Sequence, residues 1–523
     1  MSKIELYDTT LRDGAQSEGI SFSVNDKLRI CQKLDEIGIP FIEGGWPGAN
    51  PKDMSFFKKA KALSLRRSRL VAFGSTARAH SRASGDKVLK DLLAAETVYI
   101  TIFGKSWDLH VTDVLKVELK ENLRMIEDSV AFLKSKGRTV FFDAEHFFDG
   151  YKANSKYALA ALKAAAEAGA DRLVLCDTNG GTITSRLFEI IEEVKAAVKA
   201  PLGIHCHNDC EMAVANTIAA VQAGCAQAQG TMNGYGERCG NANLVSVIAN
   251  LKLKLGVDCV SDLALKDLTE AAHFIAEICN MKLPDNQPFV GTSAFAHKAG
   301  VHVNAILKNP KSYEHVDPRT VGNHRRLLIS ELSGKSTILK KFGDLELDLG
   351  EKAGEESKKI LEVLQDLENK GYHFEAAEAS LELLIKRVMK KFRDFFDFEA
   401  FKVTSEKKRA GKMTSTATLK LKVGKNAQRT SSRGDGPVNA LDGALRKALT
   451  KFYPKLAEMR LTDYKVRVLD EKEGTAARVR VLVQSQDKTG SWWTIGVSEN
   501  IIDASWQALV DSVEYKLLKD SKK

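Results

Sequence analysis

Apolar residues in the first half of the chain fall into short runs separated by longer amphipathic stretches. The runs Ile4–Asp8, Phe41–Gly44, Leu70–Phe73, Val98–Phe103, Thr139–Ala144, Arg172–Cys176, Leu202–His205 and Ala226–Gly230 predict eight strands. Between them, Asn25–Ile37, Asn122–Lys136 and Lys156–Ala168 space their apolar residues three or four apart, the helical period. Short buried runs alternating with helical stretches are the mark of βα units. Eight such units within residues 1–270 predict a (β/α)8 TIM barrel.

The pattern changes after residue 270. Residues 271–400 read as a helical linker region, in which Ala376–Phe398 predicts an amphipathic helix with apolar spacing at Leu381, Leu384, Val388 and Phe392. Residues 401–523 read as a separate α/β domain. There Gly434-Asp435-Gly436-Pro437 marks a turn, followed by a helix over Val438–Phe452. Strands at Asp463–Leu469, Ala476–Ser485 and Trp492–Ser498 and a helix over Ile501–Leu518 complete it. The expected fold class is therefore α/β: a barrel, a helical linker and a C-terminal α/β domain.

Composition narrows the class. Hydrophobic residues make up 44% and charged residues 28% of 523, the balance of a soluble globular protein. No apolar run approaches the ~20 residues of a membrane span, and Met-Ser-Lys-Ile-Glu lacks the apolar core of a signal peptide. A cytoplasmic protein without a membrane partner is expected. The eight cysteines, the last at Cys279, show no C-x-x-C pair, so they read as reduced and mostly buried. The net charge of +10 is local: residues 402–436 carry ten Lys or Arg against two Asp or Glu. With Gly411, Gly424 and Gly434 among them, they read as a solvated linker or the lip of an anionic-ligand site. No helix-turn-helix, zinc-finger or RNP pattern is present, and nucleic acid is not an expected partner.

Catalytic groups of a TIM barrel sit at the C-terminal ends of the strands, and the polar clusters fall there. In His205-Cys206-His207 the two imidazoles point the same way from one strand and can meet on a divalent cation. With Asp13 as a carboxylate ligand, the mixed N and O set suits Mn, Zn, Co or Mg. Arg12, beside Asp13 at the barrel mouth, can stabilise an enolate or oxyanion. Glu145, framed by Phe141, Phe142, Phe147 and Phe148, reads as an acid or base whose pKa those rings would raise. In Gly234-Tyr235-Gly236-Glu237-Arg238-Cys239-Gly240-Asn241 the glycines lack dinucleotide-binding spacing, and the loop instead lets Asn241 approach the metal. Gly104-Lys105-Ser106 and Gly334-Lys335-Ser336 lack the upstream glycine of a P-loop.

Together these segments resemble the family of isopropylmalate, homocitrate and citramalate synthases. The likeness spans the chain and rests on Leu11-Arg12-Asp13-Gly14, Asp177-Thr178-Asn179-Gly180, His205-Cys206-His207-Asn208-Asp209, Gly236-Glu237-Arg238-Cys239-Gly240-Asn241 and His297-Lys298-Ala299-Gly300-Val301-His302. In the C-terminal domain it rests on Gly434-Asp435-Gly436-Pro437-Val438 and Asn500-Ile501-Ile502-Asp503-Ala504-Ser505-Trp506. Residues 43–53 and 102–107 look like the branch that takes pyruvate as acceptor, and bulky Trp46, Phe73 and Phe103 could shorten its pocket. In isopropylmalate synthases the Glu145 position is usually followed by another acid, where this chain has His146.

The resemblance implies an acyltransferase that condenses acetyl-CoA with pyruvate and hydrolyses the thioester, on the threonine-independent route to isoleucine. The alternative acceptor is 2-oxoisovalerate, on the route to leucine. It implies a divalent metal held by Asp13, His205, His207 and Asn241, with Arg12 and Thr178 on the 2-oxo acid. Glu145 and His302 share acid and base work, and Tyr313 orients or protonates. His302 and Tyr313 are expected to reach a neighbouring subunit's site in a homodimer. The linker region contributes to the active site, and the C-terminal domain is a regulatory one that binds isoleucine.

Overall fold

The computed structural model describes residues 4–328, 353–407, 409, 412–469 and 477–521; Gly334-Lys335-Ser336 lies outside them. Strands β1 (Glu5–Asp8), β2 (Phe41–Gly45), β3 (Arg69–Ser75), β4 (Tyr99–Lys105), β5 (Thr139–Glu145), β6 (Arg172–Asp177), β7 (Leu202–Cys206) and β8 (Gln227–Gly230) form a closed parallel barrel in chain order. β1 returns to β8 in the register Glu5↔Gln227 through Asp8↔Gly230. Each strand begins and ends within two residues of its expected limits.

Alternation of side chains gives each strand two distinct faces. One face carries Leu6, Ile42, Ile100, Phe142, Leu175 and Ile204, all fully buried in the main core. Burial of each such side chain contributes ~1.5–3 kcal/mol, so this apolar sleeve holds barrel and helices together. The other face fills the interior. Its lower tier is apolar and mostly aromatic: Tyr7, Phe41, Val71 and Phe141 form one cluster with Tyr99 packed against it, and Phe41 meets Tyr99 edge-on at 5.1 Å. One step along the strands the same face turns polar, with Glu43, Thr101, Asp143, His205 and Gln229 all buried. Some of the helices start at side-chain caps, as at Ser23, whose side chain and that of Asp26 cap each other's backbone N–H.

The chain divides into two compact units, Met1–Phe295 with Glu314–Arg325, and Ala296–Tyr313 with Arg326–Lys523. In the second, β9 (Ala296–His297) and β10 (Arg326–Leu327) pair in parallel beside a helix at Gly300–Lys308. Two β-β-β-α modules follow helices at Ala353–Asn369 and Glu378–Val388. The first has antiparallel β11 (Asp397–Glu406), β12 (Thr414–Val423) and β13 (Asn426–Gly434) under the helix Pro437–Leu449. The second has β14 (Arg460–Val468), β15 (Val479–Asp487) and β16 (Gly490–Ser498) under the helix Ile501–Ser521. No helix among the described residues is long and apolar enough to cross a membrane.

Two expectations change here. The helix over Ala376–Phe398 ends at Val388, because Lys390 adopts a left-handed conformation with φ of 55°. Phe392 then packs on Phe395, and β11 begins at Asp397. The basic stretch 402–436 is not a linker: it folds as the sheet β11–β13. Ser415, Ala417, Leu419, Leu421 and Val423 of β12 are buried, while Lys420 and Lys422 face solvent. That alternation of period two is a strand pattern, which the density of positive charge conceals.

Candidate active site

The site grows from the turn after β1. Asp8 accepts from Thr10 N and Oγ1 at 2.9 and 2.8 Å, and Thr10 Oγ1 accepts from Met232 N at 2.9 Å. These bonds tie the first loop to the last and bring Arg12 and Asp13 over the barrel mouth. Asp13 Oδ2 lies 3.3 Å from His205 Nε2 and 3.9 Å from His207 Nε2. One donor atom from each of the three buried residues lies within 4.8 Å of the others. His205 Nδ1 is 3.1 Å from Gln229 Oε1; a proton on that nitrogen leaves the Nε2 lone pair facing Asp13.

Asn241 bridges to His207 through the backbone, and its Nδ2 donates to the Tyr235 carbonyl at 3.2 Å. Its Oδ1 is buried without a hydrogen-bond partner. The glycines permit this approach: a Cβ on Gly236 would stand 2.1 Å from Asn241 Nδ2, and one on Gly240 would stand 2.0 Å from the Gly234 carbonyl oxygen. A carboxylate, two imidazole nitrogens and an unsatisfied amide oxygen fit a divalent cation.

Electrostatics keep two of the three donors, Asp13 and His207, in the form that can bind a cation, and favour the protonated ring at His205. Burial would push the Asp13 carboxyl up, but Arg12 and the two imidazoles outweigh it and hold the group well below the usual carboxylate range. Burial and the neighbouring His205 push His207 down to about 4, so that imidazole is neutral near pH 7. For His205, burial favours the neutral ring, but the facing Asp13 wins and raises the pKa.

Arg12 is fixed on three sides. Its Nε donates to Glu43 Oε1 at 2.5 Å, its Nη1 lies 3.3 Å from Asp13 Oδ2, and its guanidinium lies 3.8 Å from the Phe73 ring centroid. Glu43, with no solvent exposure, also accepts from Tyr7 Oη at 2.5 Å. Asp143 stands on the same face of β5 as Glu145; its Oδ1 is buried without a partner, and burial and the Glu43 charge push its carboxyl up to about 7.

Glu145 pairs with Lys105, and its carbonyl accepts from Ser106 Oγ at 2.7 Å. The phenylalanines around it in sequence do not surround it in space. Phe142, on the opposite face of β5, and Phe147 and Phe148, in the helix that follows, pack into the main core, while Phe141 shares the face of Glu145 but lies two steps down the strand in the lower tier. Thr178 Oγ1 accepts from His146 N at 2.9 Å.

Arg12, Asp13, Glu145, Thr178, His205 and His207 thus line one cavity of about 240 Å³. Trp46, Phe73 and Phe103 form one wall, with centroids 5.5 to 5.9 Å apart. His302 and Tyr313 belong to the second unit, where their rings stack at 4.2 Å. Glu43, Lys105, Asp143 and Arg238 also belong to the site and are not among the residues expected from the sequence. Strand parity was available for Asp143, two before Glu145; nothing local marks Lys105 or Glu43.

A closed parallel barrel with this cluster at its mouth is of the HMGL-like class: that family's profile matches residues 3–275. A homocitrate synthase post-HMGL domain-like profile matches 289–371, and the LeuA allosteric (dimerisation) domain matches 375–517. The (R)-citramalate synthase of Aquifex aeolicus is 55% identical over 99% of this chain and 98% of its own. That of Geobacter sulfurreducens shows the same identity and coverage. The 2-isopropylmalate synthase of Methanocaldococcus jannaschii is 30% identical over 99% of this chain and 96% of its own. The chain belongs to the (R)-citramalate synthase family, acyltransferases built on the HMGL-like barrel.

Proposed function

We propose that the chain condenses acetyl-CoA with pyruvate and hydrolyses the thioester, releasing citramalate and CoA. The observation that carries the reading is the Asp13, His205 and His207 cluster beside an arginine fixed at 3.3 Å, in a chain 55% identical to named citramalate synthases. Asp13, His205, His207 and Asn241 would hold a divalent cation: Mn, Zn, Co or Mg. Such an ion supplies Lewis acidity toward the 2-oxo acid. Thr178 Oγ1 already accepts from His146 N, which leaves its hydroxyl proton to donate to the pyruvate carboxylate. Arg12 counters the negative charge that grows on the keto oxygen as the acetyl-CoA enolate attacks.

Glu145, in the cavity, and His302 divide the proton transfers: removal from the acetyl methyl group and return to the product oxygen. Tyr313, stacked on His302, orients it. In this reading His302 and Tyr313 serve a neighbouring subunit's site in a homodimer; the dimerisation-domain match over 375–517 supports the dimer. Residues 1–270 are the catalytic part, 271–400 contribute to the active site, and 401–523 bind isoleucine as a feedback effector of a cytoplasmic enzyme. The aromatic wall of Trp46, Phe73 and Phe103 favours pyruvate over the branched 2-oxoisovalerate of the rival reading, 2-isopropylmalate synthesis.

Thiol release from acetyl-CoA, run against a panel of 2-oxo acids with and without chelator, tests the reading. Pyruvate should give the highest kcat/KM, and chelation should stop the reaction. A preference for 2-oxoisovalerate, or full activity in demetallated protein, would overturn it.

A further inference from the structure

Arg238 is absorbed by none of the roles above, yet its side chain joins two loops of the site and lines the cavity. Its Nε and Nη2 grip Asp209 Oδ1 and Oδ2 at 2.8 and 3.0 Å, and Nη2 also donates to the Thr178 carbonyl at 2.7 Å. A guanidinium is a rigid planar fork. Locking it on both oxygens of Asp209, in the loop after β7, fixes where Nη2 points, and it points at the loop after β6. The contact is built from both sides. A Cβ on Gly180 would stand 2.5 Å from Asp209 Oδ2 and 2.9 Å from the His207 carbonyl carbon, so only glycine lets the two loops close. Arg238 itself takes a left-handed conformation with φ of 54°, which non-glycine residues adopt at a cost. An ordinary surface ion pair needs neither feature.

We infer that Arg238, held by Asp209, is the positioning residue that sets Thr178 for the carboxylate of the 2-oxo acid. Thr178 is pinned at two atoms: His146 N donates to its hydroxyl oxygen at 2.9 Å, and Arg238 donates to its carbonyl oxygen at 2.7 Å. The first bond directs the hydroxyl proton, and the second fixes the backbone from which the hydroxyl projects. Arg238 acts through Thr178, so its loss should weaken binding of the 2-oxo acid and leave acetyl-CoA untouched. The inference rests on the proposed role of Thr178 toward pyruvate.

The test compares the full-length wild type with Arg238→Ala, Arg238→Lys, Asp209→Asn, Thr178→Ala and the Arg238→Ala/Thr178→Ala double variant, with Mn2+ affinity measured by calorimetry on the metal alone. Arg238→Ala should raise KM for pyruvate at least roughly tenfold, the scale of a lost hydrogen bond from a charged group. KM for acetyl-CoA and Mn2+ affinity should stay within twofold. Arg238→Lys keeps the charge without the fork and should not restore pyruvate binding. In the Thr178→Ala background the effect of Arg238→Ala on KM should largely vanish, since there is no hydroxyl left to position. An unchanged pyruvate KM overturns the inference. So does an undiminished effect in the Thr178→Ala background, or a loss of Mn2+ affinity that accounts for the change. Should Arg238→Ala not fold, Arg238→Lys and Asp209→Asn carry the same comparison. A wild type without pyruvate-dependent thiol release would strike the reaction assignment itself; an active wild type with an unmoved Arg238→Ala strikes only this inference.

Discussion

Glu43→Gln keeps the shape of a side chain with no solvent exposure and removes its charge. In the wild type the two carboxylate oxygens accept from Arg12 Nε and Tyr7 Oη, each at 2.5 Å. A glutamine offers one such oxygen, and its NH2 group must face one of the two donors. A hydrogen bond to a charged group contributes ~1.5–3 kcal/mol. If that contribution serves to aim Arg12 in the transition state, turnover falls roughly 10- to 150-fold, at 1.36 kcal/mol per tenfold in rate. Asp13, 3.3 Å from Arg12 Nη1, still keeps the guanidinium at the site, so the loss should be smaller than for Arg12→Ala. The fold should tolerate the change, because removing the Glu43 charge also relieves Asp143, which burial and that charge push up to about 7. Thiol release at saturating acetyl-CoA and varied pyruvate gives kcat and KM, and a thermal melt reads stability. The expected result is a fall in kcat with Tm shifted by only a few degrees. Turnover within twofold of wild type, in a protein that melts normally, would refute the claim that Glu43 aims Arg12.

Asp13→Asn removes the charged member of the donor set and should weaken Mn2+ binding, measured by calorimetry, by more than the roughly 10–100-fold typical of outer-shell losses. Phe103→Ala opens the aromatic wall; the kcat/KM ratio of 2-oxoisovalerate to pyruvate should rise roughly 10- to 200-fold, the value of small apolar groups in a fitted pocket. In the second unit, burial pushes the Glu514 carboxyl up to about 8, against the Phe395 N–H and Arg387 that favour its charge. A pKa raised on folding gives stability that is full below the ordinary value of 4.5 and is lost as pH climbs through 8. Thermal melts of Glu514→Gln should therefore exceed wild type at pH 8 and converge with it at pH 4; a constant offset across that window would count against the shift.

The barrel was legible because each strand's outer face is apolar whatever the inner face does. The runs around Leu6, Ile42, Ile100, Leu175 and Ile204 mark the strands even where the inner positions are Glu43, Asp143 or His205. The meeting of Asp13, His205 and His207 was legible because the two histidines point the same way from one strand end and Asp13 sits in the loop of another strand. The partners of these groups were not. Glu43 meets Arg12 across 31 residues and Lys105 meets Glu145 across 40, separations that no local pattern reports. The sheet at 397–434 was hidden for another reason: its outward positions carry so many lysines and arginines that charge density masks the alternation beneath.

The change from aromatic to polar tiers along the barrel axis gives the molecule two ends with opposite tolerances. A search for heat-resistant variants that scores only survival should accumulate substitutions at Asp143, a buried acid whose Oδ1 has no partner, at the expense of the site, whereas Glu43 is held by its bonds to Arg12 and Tyr7. The Tyr7–Phe41–Phe141 tier offers no such gain. Robustness and turnover therefore pull against each other at one end of the cylinder and are independent at the other.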